Sequence, residues 1–217
     1  MQANICRDEL TALARYITQE MNANAHGDVA RRIRELNSVS AMACIDAYIK
    51  APFLVRLFGA VTPDECINEE LSGKQAALLL WTAQVMQNAD WDHKPKIARR
   101  FISGATHSRY WHVRDDYKYF YDIWSNIHYG YVGRACGFSD AMLLDGAGLE
   151  QIGSDLLRGH WPARTQGISS LRGFDDPSDR AGIAIGVNLQ KLNPAKVAAE
   201  QVLQEVLSST ELTREKL

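Results

Sequence analysis

Between residues 91 and 179 the chain gathers many polar side chains that could do chemistry. In order they are Trp91-Asp92-His93-Lys94, His107 and His112, Asp115-Asp116, YDIWSNIHYG at 121–130, Glu150-Gln151, Asp155 and FDDPSD at 174–179. If the stretch from Asp122 is helical, Asp122, Asn126 and Tyr129 share one face, with Gly130 and Gly133 bordering it. A carboxylate, an amide and a phenol on one stripe, beside glycines that admit a substrate close to the backbone, make a polar pocket. The structural alternative is that Asp122 caps the helix while Asn126 and Tyr129 are satisfied core groups.

The other clusters carry the same two readings. In FDDPSD, Asp176 suits a helix N-cap, Pro177 the first helical position and Asp179 the first turn, which leaves Asp175 without a structural duty. Acids so placed can serve as general acid and base or ligate a hard cation. Asp92 can cap the helix that Pro95 opens, and Lys94 can either face solvent or pair with a carboxylate and depress its pKa. His107 and His112 stand five apart without an obvious third ligand, so no metal and no cofactor is expected. A Cys–His nucleophile using Cys136 is weaker still, and G-x-S-x-G, G-x-x-x-x-G-K and H-E-x-x-H are absent. Carboxylates among Trp and Tyr suit sugar rings and glycoside hydrolysis, or stacked bases beside a phosphodiester.

The elements that must position these residues read as mostly helical. Leu10, Leu13, Ala14, Ile17 and Met21 form an apolar stripe, and Asp28 looks like the N-cap of a second helix carrying Val29, Ile33 and Leu36. An apolar stretch over 40–60 is broken by Pro52, and residues 62–73 read as a polar surface loop. Lys74 to Met86, apolar almost all round, predicts a buried central helix. Tyr117, Tyr119 and Tyr121 alternate as in a strand, with Asp115-Asp116 turning a hairpin. Helical spacing returns from Asp122 to about Cys136, Ser139 caps a helix to about Leu157, and 158–174 is a long loop. Asp176-Pro177-Ser178-Asp179 starts another helix, and Pro194 precedes a final amphipathic one.

The expected fold is therefore mainly α, an α+β chain with one small β-hairpin, in a single compact helical domain of lysozyme-like plan. Residues 1–73 would form an N-terminal helical segment packed on a core of 74–217.

Composition narrows the class. The 217 residues are 46% hydrophobic and carry a net charge of −2, which excludes a disordered tail and gives no basic footprint for nucleic acid. No apolar run is long enough to span a bilayer, and MQANICRDELTALARYITQEM lacks the core of a secretory signal. The scattered Cys6, Cys44, Cys66 and Cys136 read as buried thiols in a chain made in the cytosol.

The ordered set WDHK at 91–94, YDIWSNIHYGYVGRACGFS at 121–139, LLDGAGLEQIG at 143–153 and FDDPSDRAGIAIG at 174–186 resembles the type 44 polymorphic-toxin family. ARYITQEMNANA and RRIRELN resemble the N-terminal part of enterobacterial members that form C-terminal modules of type VI secretion effectors. The family's W-D-x-K, acid before Asn-x-x-Tyr-Gly, Ala-Gly-x-x-Gln and Asp-Asp-Pro-x-Asp fall on Trp91, Asp92 and Lys94; Asp122, Asn126, Tyr129 and Gly130; Ala147, Gly148 and Gln151; and Asp175, Asp176, Pro177 and Asp179. His93 and His128 fall where members differ.

The resemblance implies an antibacterial toxin with a cognate immunity protein, carried by a type VI apparatus or carrier domain. Joined to the residue reading, it makes peptidoglycan glycan strands in the target periplasm the expected substrate. Asp122 and one of Asp175 and Asp176 would be catalytic, with Trp91, Asp92, Lys94, Asn126, Tyr129, Gln151 and Asp179 binding substrate. The rivals are a nuclease acting in the target cytosol and a non-enzymatic module that blocks its target.

Overall fold

The computed structural model describes residues 8–59, 61–144 and 177–217. Among these run α1 (Leu10–His26), α2 (Asp28–Asn37), α3 (Ala41–Lys50), α4 (Phe53–Phe58), α5 (Pro63–Val85), α6 (Lys94–Arg100), β1 (Trp111–Arg114), β2 (Tyr117–Phe120), α7 (Asp122–Ala135) and α8 (Asp140–Leu144). They are followed by α9 (Pro177–Leu192), α10 (Ala199–Ser208) and β3 (Arg214–Lys216). The fold is mainly α with a small antiparallel sheet, as the periodicity predicts. The hairpin forms where expected, Trp111 facing Phe120 and Arg114 facing Tyr117, with Asp115 in the left-handed region at the turn. The chain's end adds a third strand, Tyr117 facing Lys216, that the sequence did not announce.

At the centre α7 crosses α9, the most extensive helix–helix contact among the described residues. Both helices have removed their side chains where they meet. A Cβ on Gly130 would lie 2.1 Å from the Ile183 carbonyl oxygen, and one on Gly186 would lie 2.0 Å from the Ile127 carbonyl oxygen. Gly182 meets the Asn126 side chain in the same way, so a Gly-x-x-x-Gly face on α9 lies on the backbone of α7. This corrects the expectation that the α7 glycines admit substrate. Gly130 admits α9, and Gly133 admits Leu143 and Trp81.

Around this crossing α1 buries Leu10, Leu13, Ile17 and Met21 completely. Asn22 of α1 both donates to the Val197 carbonyl at 2.9 Å and accepts from its N–H at 3.0 Å, locking α1 to the approach of α10. α2 closes the far end of α7: Arg34 and Asn37 donate to the Ala135 and Cys136 carbonyls, both at 3.0 Å. Gly137, at φ +89°, then turns the chain away.

Several local expectations are corrected. Residues 62–73 are not a loop: α5 starts at Pro63 on a Thr62–Glu65 capping box and runs unbroken through Gly73, so a 73/74 division falls inside one helix. Gly73 gives the Leu36 carbonyl room, since a Cβ there would come within 2.8 Å of it. The 74–86 part of α5 is buried on one face only, through Ala77, Trp81 and Thr82, while Leu80 reaches solvent. Asp28 is the first residue of α2 and Gly27 takes the cap position.

Cys44 and Cys66 are not buried thiols but a disulfide joining α3 to α5, brought together by a helical turn-back that their spacing of 22 does not signal. α3 and α4 bury nothing, leaving Met42, Phe53, Leu54, Leu57 and Phe58 exposed. Beyond Leu144, the helix expected to Leu157, the 158–174 loop, Gln151, Asp175 and Asp176 lie outside the described residues.

The glycine crossing makes a direct prediction. Gly186→Ala should cost about 3 kcal/mol or more, because backbone rather than a pliable side chain must move. Gly59→Ala, with open space around it, should change stability by less than about 0.5 kcal/mol. Urea titration of both variants checks this, and equal stability would show that the two helices do not meet through their backbones.

Candidate functional site

Asp122 begins α7, and its carboxylate lies 3.9 Å from Lys94 Nζ at the start of α6. The two side chains are 17% and 40% exposed, so the pair sits at the surface of the core, reachable by a ligand. One turn along α7 Asn126 is buried and donates to Asp179 Oδ1 at 2.7 Å, tying α7 to the first turn of α9. Thus Lys94, Asp122, Asn126 and Asp179, drawn from three helices and three sequence regions, form one polar line. Tyr129 continues the α7 face but stacks edge-on against Trp81, with ring centroids 5.0 Å apart.

The rest of the WDHK segment has structural duties. Asp92 accepts the amides of Asn88 at 2.8 Å and Lys94 at 3.2 Å, holding the turn between α5 and α6. Trp91 is 7% exposed and packs edge-on against Trp81 and His128, in the core rather than facing the cleft.

Lys94 and Asp92 also line an open cleft of about 420 Å³, together with Arg99, Arg109, Tyr110 and Tyr121. Tyr110 and Tyr121 meet edge to face at 5.1 Å. Burial, followed by the neighbouring Asp122, Tyr110 and Asp92, pushes the Tyr121 phenol up, so it stays neutral. The aromatic density of 107–121 marked this region in the sequence, but nothing there singled out Arg99 or Arg109. Among the described residues no three His, Cys, Asp or Glu are grouped to hold a metal. Burial drives the Cys136 thiol up to about 12, which leaves it without thiolate character.

Beneath the polar line lies a pair of histidines. His93 and His128 are both fully buried, their rings 4.1 Å apart. Tyr16 Oη is hydrogen-bonded to His93 Nδ1 at 2.9 Å, and the Asn24 amide to His128 Nε2 at 3.0 Å. Burial, helped by Lys96, drives His93 down to about 3, and burial and the neighbouring His93 push His128 well below its ordinary value. Both rings are neutral packing units at pH 7.

Residues 80–191, just over half the chain, match the model of the family described as bacterial toxin 44. The chain belongs to the bacterial toxin 44 family. No curated protein and no solved structure matches it. The matched residues include Lys94, Asp122, Asn126 and Asp179 together with the cleft, so the polar line and the toxin module coincide.

The histidine pair gives this toxin module a pH signature. A histidine whose folded pKa is depressed stays neutral in the fold while the unfolded chain takes up a proton, so stability rises with pH between about 3 and 6.5. The stabilisation is complete above 6.5 and is lost as pH falls. From pH 7.5 to 5 His93 should cost about 2 kcal/mol, and His128, shifted in the same direction, should add to that loss. Denaturant unfolding at the two pH values measures this, and a flat curve would mean the rings are not held neutral.

Proposed function

We propose that this toxin module hydrolyses peptidoglycan glycan strands in the periplasm of a target bacterium. The observation that carries the reading is Asp122, a partly exposed carboxylate paired with Lys94 beside a tyrosine-lined cleft. Asp122 is thereby placed to activate water or to stabilise the positive charge that builds on a sugar ring. Asn126 and Asp179 fix the next turn so that Asp122 keeps its place. The second carboxylate is Asp175 or Asp176, which immediately precede α9 in the chain, and Gln151 and Tyr129 contribute to sugar binding. The Cys44–Cys66 disulfide supports an oxidising compartment, since such bonds are rare in the cytosol. Delivery by a type VI apparatus and neutralisation by an immunity protein seated over the cleft complete the proposal.

One observation favours a nuclease instead: Lys94, Arg99 and Arg109 surround the same cleft. The scissile bond separates the two. In a glycan it is uncharged and can lie against Asp122, whereas a phosphodiester brings its own negative charge to that carboxylate.

Expression with an export signal should cause rounding and lysis, and expression without one should be tolerated. Asp122→Asn should cut release of reducing ends from purified sacculi by about 10²–10⁴-fold with little loss of stability. Asp179→Ala should instead cost about 1–3 kcal/mol, because it orphans the buried Asn126 amide. Killing from the cytosol with intact walls would overturn the reading in favour of the nuclease. Undiminished toxicity of Asp122→Asn would overturn it in favour of target blocking.

A further inference from the structure

The segment from α6 to β2 holds seven Lys and Arg residues, and most have work inside the protein. Lys94 pairs with Asp122, and Lys96 donates to the Asp90 carbonyl. The Arg100 guanidinium lies 5.0 Å over the Tyr16 ring, Arg114 pairs with Asp8 at 3.1 Å, and Lys118 pairs with Glu215 at 2.7 Å. Arg99 and Arg109 differ. Both are exposed, and neither has an ion pair, hydrogen bond or ring partner among the described residues. Yet both border the cleft that holds Lys94, one from the last turn of α6 and the other from the loop before β1.

We infer that Arg99 and Arg109 are substrate-binding residues that capture the free carboxylates of the peptides borne by a peptidoglycan strand. This rests on the proposed glycan-hydrolase reading and names the part of the polymer that the cleft recognises. Guanidinium groups pair with carboxylates through two parallel hydrogen bonds, and an unpartnered one has that capacity unspent. In the same cleft the Lys94 charge faces Asp122 at 3.9 Å, and Asp92 adds a carboxylate to the lining. Charge is therefore divided between matched and unmatched groups: Lys94 has Asp122, whereas Arg99 and Arg109 are left for a carboxylate from outside, and Tyr110, half exposed, offers a flat face for a sugar. A strand whose backbone is neutral sugar and whose charges hang on side peptides matches that division. A nucleic acid, charged at every backbone link, does not, and binding it calls for a longer basic track.

The test uses the full chain carrying Asp122→Asn, with and without Arg99→Gln and Arg109→Gln together. Three probes are compared at 150 mM salt: intact sacculi, glycan strands stripped of peptides by an amidase, and a single-stranded RNA 20-mer. The arginine substitutions should weaken binding to intact sacculi at least about tenfold and leave the weaker binding to stripped strands unchanged. An equal loss on stripped strands, or no loss on intact sacculi, would overturn the assignment. RNA binding that depends on the arginines, without binding to sacculi, would overturn it in favour of a nucleic-acid groove. Arginine-dependent binding to sacculi from which the wild-type chain releases no reducing ends would uphold the assignment and sink the hydrolase reading alone.

Discussion

The rest of this structure depends on two helices meeting backbone to backbone. Glycines on both sides of the α7–α9 crossing bring the helices closer than any Cβ allows. That approach puts Asp179, on the first turn of α9, within 2.7 Å of Asn126. It also fixes the rotation of α7, so Asp122 points toward Lys94 on α6 while Ile123, Trp124 and Ile127 are buried. A larger residue at Gly130 or Gly186 would therefore disturb the site as well as the core. The contact is rigid because it consists of carbonyls and N–H groups, which cannot change rotamer.

Directly under the site the protein has chosen neutral polar groups over charges. His93 and His128 pack edge-on in a buried layer with Tyr16, Asn24 and Trp91, and burial keeps both rings uncharged. Charged side chains begin one layer out, at Lys94, Asp92 and Asp122. This ordering lets the WDHK segment act on both sides of the boundary: Trp91 and His93 anchor it inward, Asp92 shapes the turn, and Lys94 reaches the carboxylate.

What could be read from the sequence follows from the range of the interaction involved. Tyr117 and Tyr119 on alternate positions with Asp115-Asp116 beside them specify a hairpin locally, and it forms. The α7 face is equally local, so Asp122, Asn126 and Tyr129 do share it. Features that depend on a distant partner were hidden. Gly130 looks the same whether a substrate or Ile183 approaches it, and only the position of α9 decides. Gly73 reads as a breaker until the Leu36 carbonyl is placed beside it. Cys44 and Cys66 carry no spacing signal because the cross-link depends on how α3 folds back on α5. The start of α5 was legible in Thr62, Pro63 and Glu65, but the surrounding polarity masked it.

The family match begins at residue 80, yet the folded unit that holds the site begins far earlier. α1 lies against α7 and α10 and buries four large apolar side chains completely in the shared core. It also supplies Tyr16 and Asn24, the hydrogen-bond partners of the two buried histidines. Without α1 the inner faces of α7 and α10 would be open, and the histidine layer would lose both partners. The 80–191 stretch thus carries the toxin's polar line but cannot close its own core. α3 and α4 stand in the opposite relation, burying nothing and tied to the body through α5 by a disulfide and helix packing. The boundary that matters physically falls after α2, between helices that complete the site's foundation and helices that turn their apolar side chains outward.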